Sequence, residues 1–216
     1  LNDKMKFRSS GKLLITGEYL VLKGAKALAI PTKFGQEMEV SYSKKKNTPT
    51  LSWTAYNSEN EIWFTAQFEL PSLNILSTTD KKSSDDLKTL LSICFGENGK
   101  LFRPNQNIEI KTYLEFPNDW GLGSSSTLIS NLSKWSEVDA FKLLKSISKG
   151  SGFDVAVGLE NKAITYQLID KKPTWNVVEF NPDFSRNIFF IYLNKKQKSE
   201  FEIERFEKKS IASQEN

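Results

Sequence analysis

Residues 117–127 read PNDWGLGSSST, a glycine-interrupted turn leading into a run of hydroxyl residues. What stands on either side decides how it folds. Upstream, residues 107–116 (NIEIKTYLEF) alternate apolar and polar, the period of a half-buried strand. Downstream, Leu128, Leu132 and Trp135 recur at i, i+4 and i+7, so a helix is expected from Ser124 or Ser125 to about Trp135. Gly121 and Gly123 let backbone N–H groups turn toward a common point, and the helix start behind them adds unpaired donors with a partial positive charge. Such a turn can cradle a phosphate, with the hydroxyls of Ser124, Ser125 and Ser126 adding bonds to phosphate oxygens or a magnesium ion. It can equally be a plain strand-to-helix turn with a serine as N-cap. No G-x-x-x-x-G-K-[ST] occurs in the chain.

Outward from that turn, the first half reads as strands: 12–16 (KLLIT), 19–22, 37–42 and 61–64, punctuated by Gly11, Gly17, Gly24, Pro31 and Gly35. Residues 85–95 (DDLKTLLSICF) have the acidic start and spacing of an amphipathic helix, with Leu87, Leu90, Leu91 and Cys94 on one side. A second helix is expected to start at Ser136, with Asp139 three positions on, and to end before Gly150. Strands over 164–168, 175–180 and 188–193 complete an α+β pattern with a mostly antiparallel first sheet. The polar tail 195–216 reads as an unpartnered helix or a flexible end.

Composition narrows the chemistry. The 216 residues are 38% hydrophobic and 26% charged, enough for a sizeable core. The absence of histidine excludes Ser-His-Asp and Cys-His catalysis, and a lone cysteine, Cys94, excludes an intrachain disulfide or a thiolate zinc site. Cys94 is expected in the core. No apolar run is long enough to cross a bilayer, and residues 1–8 lack the order of a secretory signal, so a cytoplasmic location without membrane partners is expected. The net charge of +4 raises nucleic acid as a partner. The lysine clusters at 44–46, 195–196 and 208–209 sit in polar settings without a recognisable motif, which reads as solvated surface.

Two further stretches place charge among apolar residues. In residues 8–24 (RSSGKLLITGEYLVLKG), Lys12 opens an apolar strand, and its ammonium must find a partner or the sheet's end. Glu18 follows Gly17 at a turn. In residues 150–157 (GSGFDVAV), Asp154 is flanked by Phe153 and Val155 and serves either as a helix cap or as a positioned base. Each can also be read as structural: a surface charge for Lys12 and Glu18, a cap for Asp154.

Taken in this order, GKLLITGEYLVLKG, PNDWGLGSSST and GSGFDVAV resemble the first two conserved motifs and the catalytic-aspartate segment of GHMP kinases, particularly the mevalonate and phosphomevalonate kinases. The resemblance implies an N-terminal domain like domain 2 of ribosomal protein S5, followed by an α/β domain, with ATP and acceptor in the cleft between them. It implies that Gly121, Leu122, Gly123, Ser124, Ser125 and Ser126 hold the triphosphate, Ser125 also facing Mg²⁺. It places Lys12 and Asp154 at the reacting groups as catalytic residues, paired with each other, and Glu18 and Tyr19 at the acceptor. The acceptor would be a small molecule of the mevalonate or phosphomevalonate type, with no nucleic-acid partner and homodimerisation left open. A non-catalytic nucleotide- or RNA-binding relative on the same fold is the competing reading.

Two departures from the pattern stand out. The stretch 141–147 (FKLLKSI) lacks the glutamate that holds magnesium in many mevalonate kinases, which leaves Glu137 and Asp139 as the nearest acids. No glycine follows Asn187, where the family continues through a domain with a third glycine-rich motif. The expectation is therefore an N-terminal domain over 1–183 and only the beginning of a second over 184–216, with nucleotide binding and catalysis weakened by the missing part.

Overall fold

The computed structural model describes residues 4–44, 48–192 and Phe206. β1 (Lys4–Thr16) and β2 (Ala27–Lys44) form a long antiparallel pair, and β2 also carries β6 (Gln106–Leu114) along its C-terminal half and β7 (Ile164–Ile169) along its start. β3 (Thr50–Tyr56) joins β6 in parallel, β4 (Ile62–Glu69) and β5 (Ile75–Thr78) extend that edge, and β8 (Lys172–Val177) ends the other. The result is one eight-stranded, mostly antiparallel sheet of an α+β fold.

Alternation decides its two faces. Met38, Val40, Leu51, Trp53, Phe68, Ile108 and Ile110 point inward, against Leu87, Leu90, Leu91 and Cys94 of α1 (Lys81–Glu97), Ile129, Leu132 and Trp135 of α2 (Ser124–Ser136), and Leu143 and Leu144 of α3 (Ala140–Ile147). Each buried Leu or Ile there contributes roughly 1.5–3 kcal/mol. Burial pushes the Cys94 thiol up to about 11, as befits a core residue. The opposite face is polar and balanced: Lys4 and Lys6 meet Glu39 at 2.9 and 2.7 Å, and Lys111 meets Glu109 at 3.0 Å. Those lysines are neutralised by neighbouring glutamates, which weakens the case for a nucleic-acid surface there. Among the described residues, no helix is long and apolar enough to cross a membrane.

Several local expectations are corrected. Residues 19–22 are not a strand: Leu20–Lys23 is a 3-10 helix closed by Gly24 at φ 84°, because β1 must reverse there to enter β2. α1 begins earlier than the acidic pair suggests, since Asp80 accepts from the Ser83 amide at 2.7 Å and so sets the start. Ser136 ends α2 instead of starting α3, and Asp139 caps α3 by accepting from the Phe141 amide at 2.9 Å. β8 is shifted to Lys172–Val177 because Asp170 and Lys171 both take positive φ in a two-residue hairpin that fixes its register against β7. Residues 188–192 have no strand pairing, Leu193 lies outside the described residues, and of the tail only Phe206 is described. The strands Thr50–Tyr56 and Ile75–Thr78 are additions that the sequence reading did not contain.

Candidate active site

The glycine turn leaves β6 and enters α2 as expected, but no serine caps the helix. Gly123 is the N-cap, in the left-handed region at φ 88°, without a side-chain bond to the first-turn amides. A side chain at Gly123 would be strained by that φ and would crowd the Lys12 stem, with Cε 3.3 Å from an added Cβ. Gly121 also has positive φ, at 72°, and is exposed, with nothing within 4 Å of an added Cβ. The first-turn donors of a thirteen-residue helix therefore sit behind an open turn, the arrangement that attracts anions. Ser124 donates to Asn118 at 2.7 Å and Ser126 is buried, which leaves Ser125 as the serine facing solvent. Leu122 is buried with Leu114 and Phe116, anchoring the turn to the end of β6.

Lys12 reaches the same turn from β1. The register of β1 against β2 shifts between Ser10 and Lys12, and the Lys12 amide bonds the Leu122 carbonyl at 3.0 Å in place of a regular ladder. Its ammonium donates to the Gly121 carbonyl at 3.1 Å and lies 5.4 Å from the centre of the Phe153 ring.

Asp154 lies in the first turn of α4 (Phe153–Glu160), where Gly152 is the N-cap at φ 87°. It is not the cap itself. One carboxylate oxygen accepts from its neighbouring Val155 amide at 3.0 Å and the other from the Ser126 hydroxyl. The expected Lys12–Asp154 ion pair is thus replaced: the ammonium goes to Gly121 and the carboxylate to Ser126. Both still converge on the start of α2, because an added Cβ at Gly123 would find Lys12 Cε at 3.3 Å and Ser126 Cβ at 3.8 Å. The Ser126 hydroxyl, expected at the phosphate, is buried and donates to Asp154.

The closeness of α2 and α4 has a pattern that the sequence reading missed. Ser126, Ser130 and Lys134 stand at i, i+4 and i+8 along α2, and each donates to α4: to the Asp154 carboxylate, to the Val155 carbonyl at 3.2 Å and to the Gly158 carbonyl at 2.9 Å. Lys134 also donates to the Arg8 carbonyl and the Ser9 hydroxyl, each at 2.9 Å, and burial holds its ammonium below the usual lysine range. On the adjoining side of α2, Asn131 bonds the Gln36 carbonyl at 2.9 Å and Thr127 bonds the Gln36 side chain at 3.0 Å. The signal for this seam was the serine-rich spacing itself. Trp120 was also missed: it meets Phe34, Phe190 and Tyr192 with ring centroids 6.2–6.3 Å apart, beside the glycine turn.

Glu18 is exposed, and Tyr19, at φ 57°, stacks on Phe206 with centroids 5.6 Å apart. Neither acid considered as a second magnesium ligand is placed to serve. Glu137 is at the far end of α2, roughly 20 Å from the turn at 1.5 Å per residue, and Asp139 is spent as the α3 cap. Among the described residues, no group of three or more acids, cysteines or histidines could hold a metal ion. Magnesium commonly keeps several waters and takes few protein ligands, and at this turn the Ser125 hydroxyl is the serine group exposed to solvent.

No family model matches the chain, and no curated protein matches it by sequence. Solved structures do. The fold matches L. major mevalonate kinase in complex with R-mevalonate with a TM-score of 0.61 at 14% identity, over 84% of this chain and 54% of that one. It matches the Methanococcus jannaschii mevalonate kinase at 0.60 and 18% identity, over 82% and 56%. It matches Streptococcus pneumoniae phosphomevalonate kinase, solved with phosphomevalonate and AMPPNP, at 0.54 and 20% identity, over 77% and 50%. The chain thus has the GHMP kinase fold, spanning about half the length of these kinases, consistent with their N-terminal domain.

Proposed function

We propose that the chain carries the phosphate-handling half of an ATP-dependent kinase that phosphorylates a small-molecule hydroxyl or phosphate, with mevalonate as the first candidate acceptor and phosphomevalonate as the second. The observation that carries this reading is the start of α2 behind Gly121 and Gly123, which no side chain caps, with the Lys12 ammonium bonded to Gly121 and the Asp154 carboxylate bonded to Ser126. Residues 1–183 would form the N-terminal domain and 184–216 the beginning of the second, in a cytoplasmic enzyme.

Phosphoryl transfer asks a protein mainly for alignment and for positive charge at the phosphoryl oxygens. In this reading the amides at the start of α2 and the Lys12 ammonium supply that charge. The acceptor oxygen attacks the γ-phosphorus, the bond to the β–γ bridging oxygen breaks and ADP leaves. The acceptor proton passes to the Asp154 carboxylate, which first orients the hydroxyl. Ser125 would ligate magnesium, whose charge, when bound, offsets that of the β- and γ-phosphates. Glu18 and Tyr19 would border the acceptor.

A coupled ADP-release screen against mevalonate, phosphomevalonate, homoserine and galactose, run beside titration with Mg·ATP, tests the reading. Turnover selective for one acceptor is expected. Absence of both nucleotide binding and turnover would sink it, and salt-dependent RNA binding without turnover would select the non-catalytic alternative.

A further inference from the structure

We infer that Ser126 is a positioning residue for Asp154, coupling the helix that receives phosphate to the carboxylate that receives the acceptor proton. The inference rests on the phosphoryl-transfer reading above and adds a residue to it. Ser126 belongs to the first turn of α2, next to Ser125, yet its hydroxyl turns away from the open turn and donates to Asp154. The residue is 6% exposed, so a hydroxyl left without this partner would be a buried unsatisfied donor.

The surroundings fix that geometry. Ser130, one turn further along α2, has its single hydroxyl proton between the Ser126 carbonyl at 2.8 Å and the Val155 carbonyl at 3.2 Å, linking the two helix starts. At Gly158 the helices pass so closely that an added Cβ would lie 2.6 Å from the Ser130 hydroxyl oxygen. With α2 and α4 locked, the Asp154 carboxylate is held between the Val155 amide and the Ser126 hydroxyl. One oxygen bonded to Ser126 sets the carboxylate's rotation, and its remaining lone pairs can then face an acceptor. Because Ser126 and Ser125 are consecutive residues of one helical turn, any shift of that turn on binding phosphate moves the donor that orients Asp154.

The test is a mutant cycle read in both kinetics and stability. Ser126→Ala is expected to lower kcat by about 10- to 100-fold with the KM for Mg·ATP unchanged, the pattern of lost alignment of a proton acceptor. In an Asp154→Asn background the same change should cost less than about twofold, since no base remains to be oriented. Ser126→Thr, which restores a hydroxyl, should recover most of the rate. Ser126→Cys keeps the side-chain size with a much weaker donor and should reproduce the loss even if the alanine variant folds poorly. Denaturation midpoints of Ser126→Ala, Asp154→Ala and the double variant should be non-additive. Equal kinetic losses in both backgrounds, a loss confined to the KM for Mg·ATP, or wild-type kcat in Ser126→Ala would each overturn the inference. An unmutated chain without turnover on any acceptor fails the phosphoryl-transfer reading itself, whereas an active chain indifferent to Ser126 fails this inference alone.

Discussion

The Lys12 ammonium donates to the Gly121 carbonyl at 3.1 Å, so a cation from the first strand holds the open edge of the glycine turn. That bond uses one of the ammonium's three donors, and an incoming phosphate would offer it a stronger, charge-assisted partner. Lys12→Met keeps the stem that packs against Gly123 but removes the charge. It is expected to weaken Mg·ATP binding and to lower kcat by roughly 100-fold, the scale for losing one preorganised group at a developing charge. Steady-state kinetics with varied ATP, beside nucleotide titration, measures both. Unaltered binding and turnover would remove Lys12 from the site.

Asp154 and Ser125 should respond differently. Asp154→Asn retains size and can still accept from Ser126, so nucleotide affinity should hold while kcat falls by about two or more orders of magnitude. Ser125→Ala removes the solvent-facing hydroxyl and should raise the KM for Mg·ATP, with part of the loss recovered at high magnesium. Parallel losses that track thermal stability in the two variants would assign both residues a structural role.

How much of this was legible beforehand differs by level. The turn at Gly121 and Gly123 and the helix behind it could be read from spacing, because glycine and apolar periodicity are local signals. That both Lys12 and Asp154 approach this turn followed from the order of motifs resembling a known family. Their hydrogen-bond partners could not be read. Ser126 could be seen as a phosphate ligand or a cap, and only the close passage of α2 and α4 shows that its hydroxyl goes to Asp154. The β7–β8 hairpin was misplaced for a related reason: Asp170 and Lys171 adopt positive φ without the glycine that normally announces it.

That close passage makes a stability prediction whose sign is informative. At an exposed position in a helix interior, replacing glycine by alanine stabilises by up to about 1 kcal/mol. At Gly158 the new methyl would meet the Ser130 oxygen at 2.6 Å and its Cβ at 3.1 Å, and that hydroxyl's one proton lies between the Ser126 and Val155 carbonyls. Gly158→Ala is therefore expected to destabilise by about 1–3 kcal/mol, the usual cost of overpacking. Ser130→Ala in the same chain should recover part of the loss. Thermal melts of the two single variants and the double variant measure this, and a stabilised Gly158→Ala would show that the helices can part freely.

The final prediction concerns acid. Arg8 grips Glu115 with two bonds, at 2.7 and 2.6 Å, and the Gly35 amide adds a third at 2.9 Å, pinning β1, the middle of β2 and the end of β6 together. The Arg8 hydrogen bonds, helped by that amide, hold the Glu115 carboxyl below its ordinary value of 4.5. A carboxyl depressed in the folded state stabilises the fold above its unfolded value, and that contribution disappears as pH falls through the folded value. The Glu115 side chain is 35% exposed, so solvent screening limits the effect to about 1 kcal/mol. Glu115→Gln retains an acceptor without the charge. The wild type should be more stable than this variant at neutral pH, and the gap should narrow once pH drops below 4.5. Other carboxylates titrate alike in both proteins and cancel in the difference. Urea midpoints of the pair, measured at neutral and at acid pH, give the comparison directly: a gap that stays constant would mean that the charge of Glu115 contributes nothing and that its hydrogen bonds alone hold the strands.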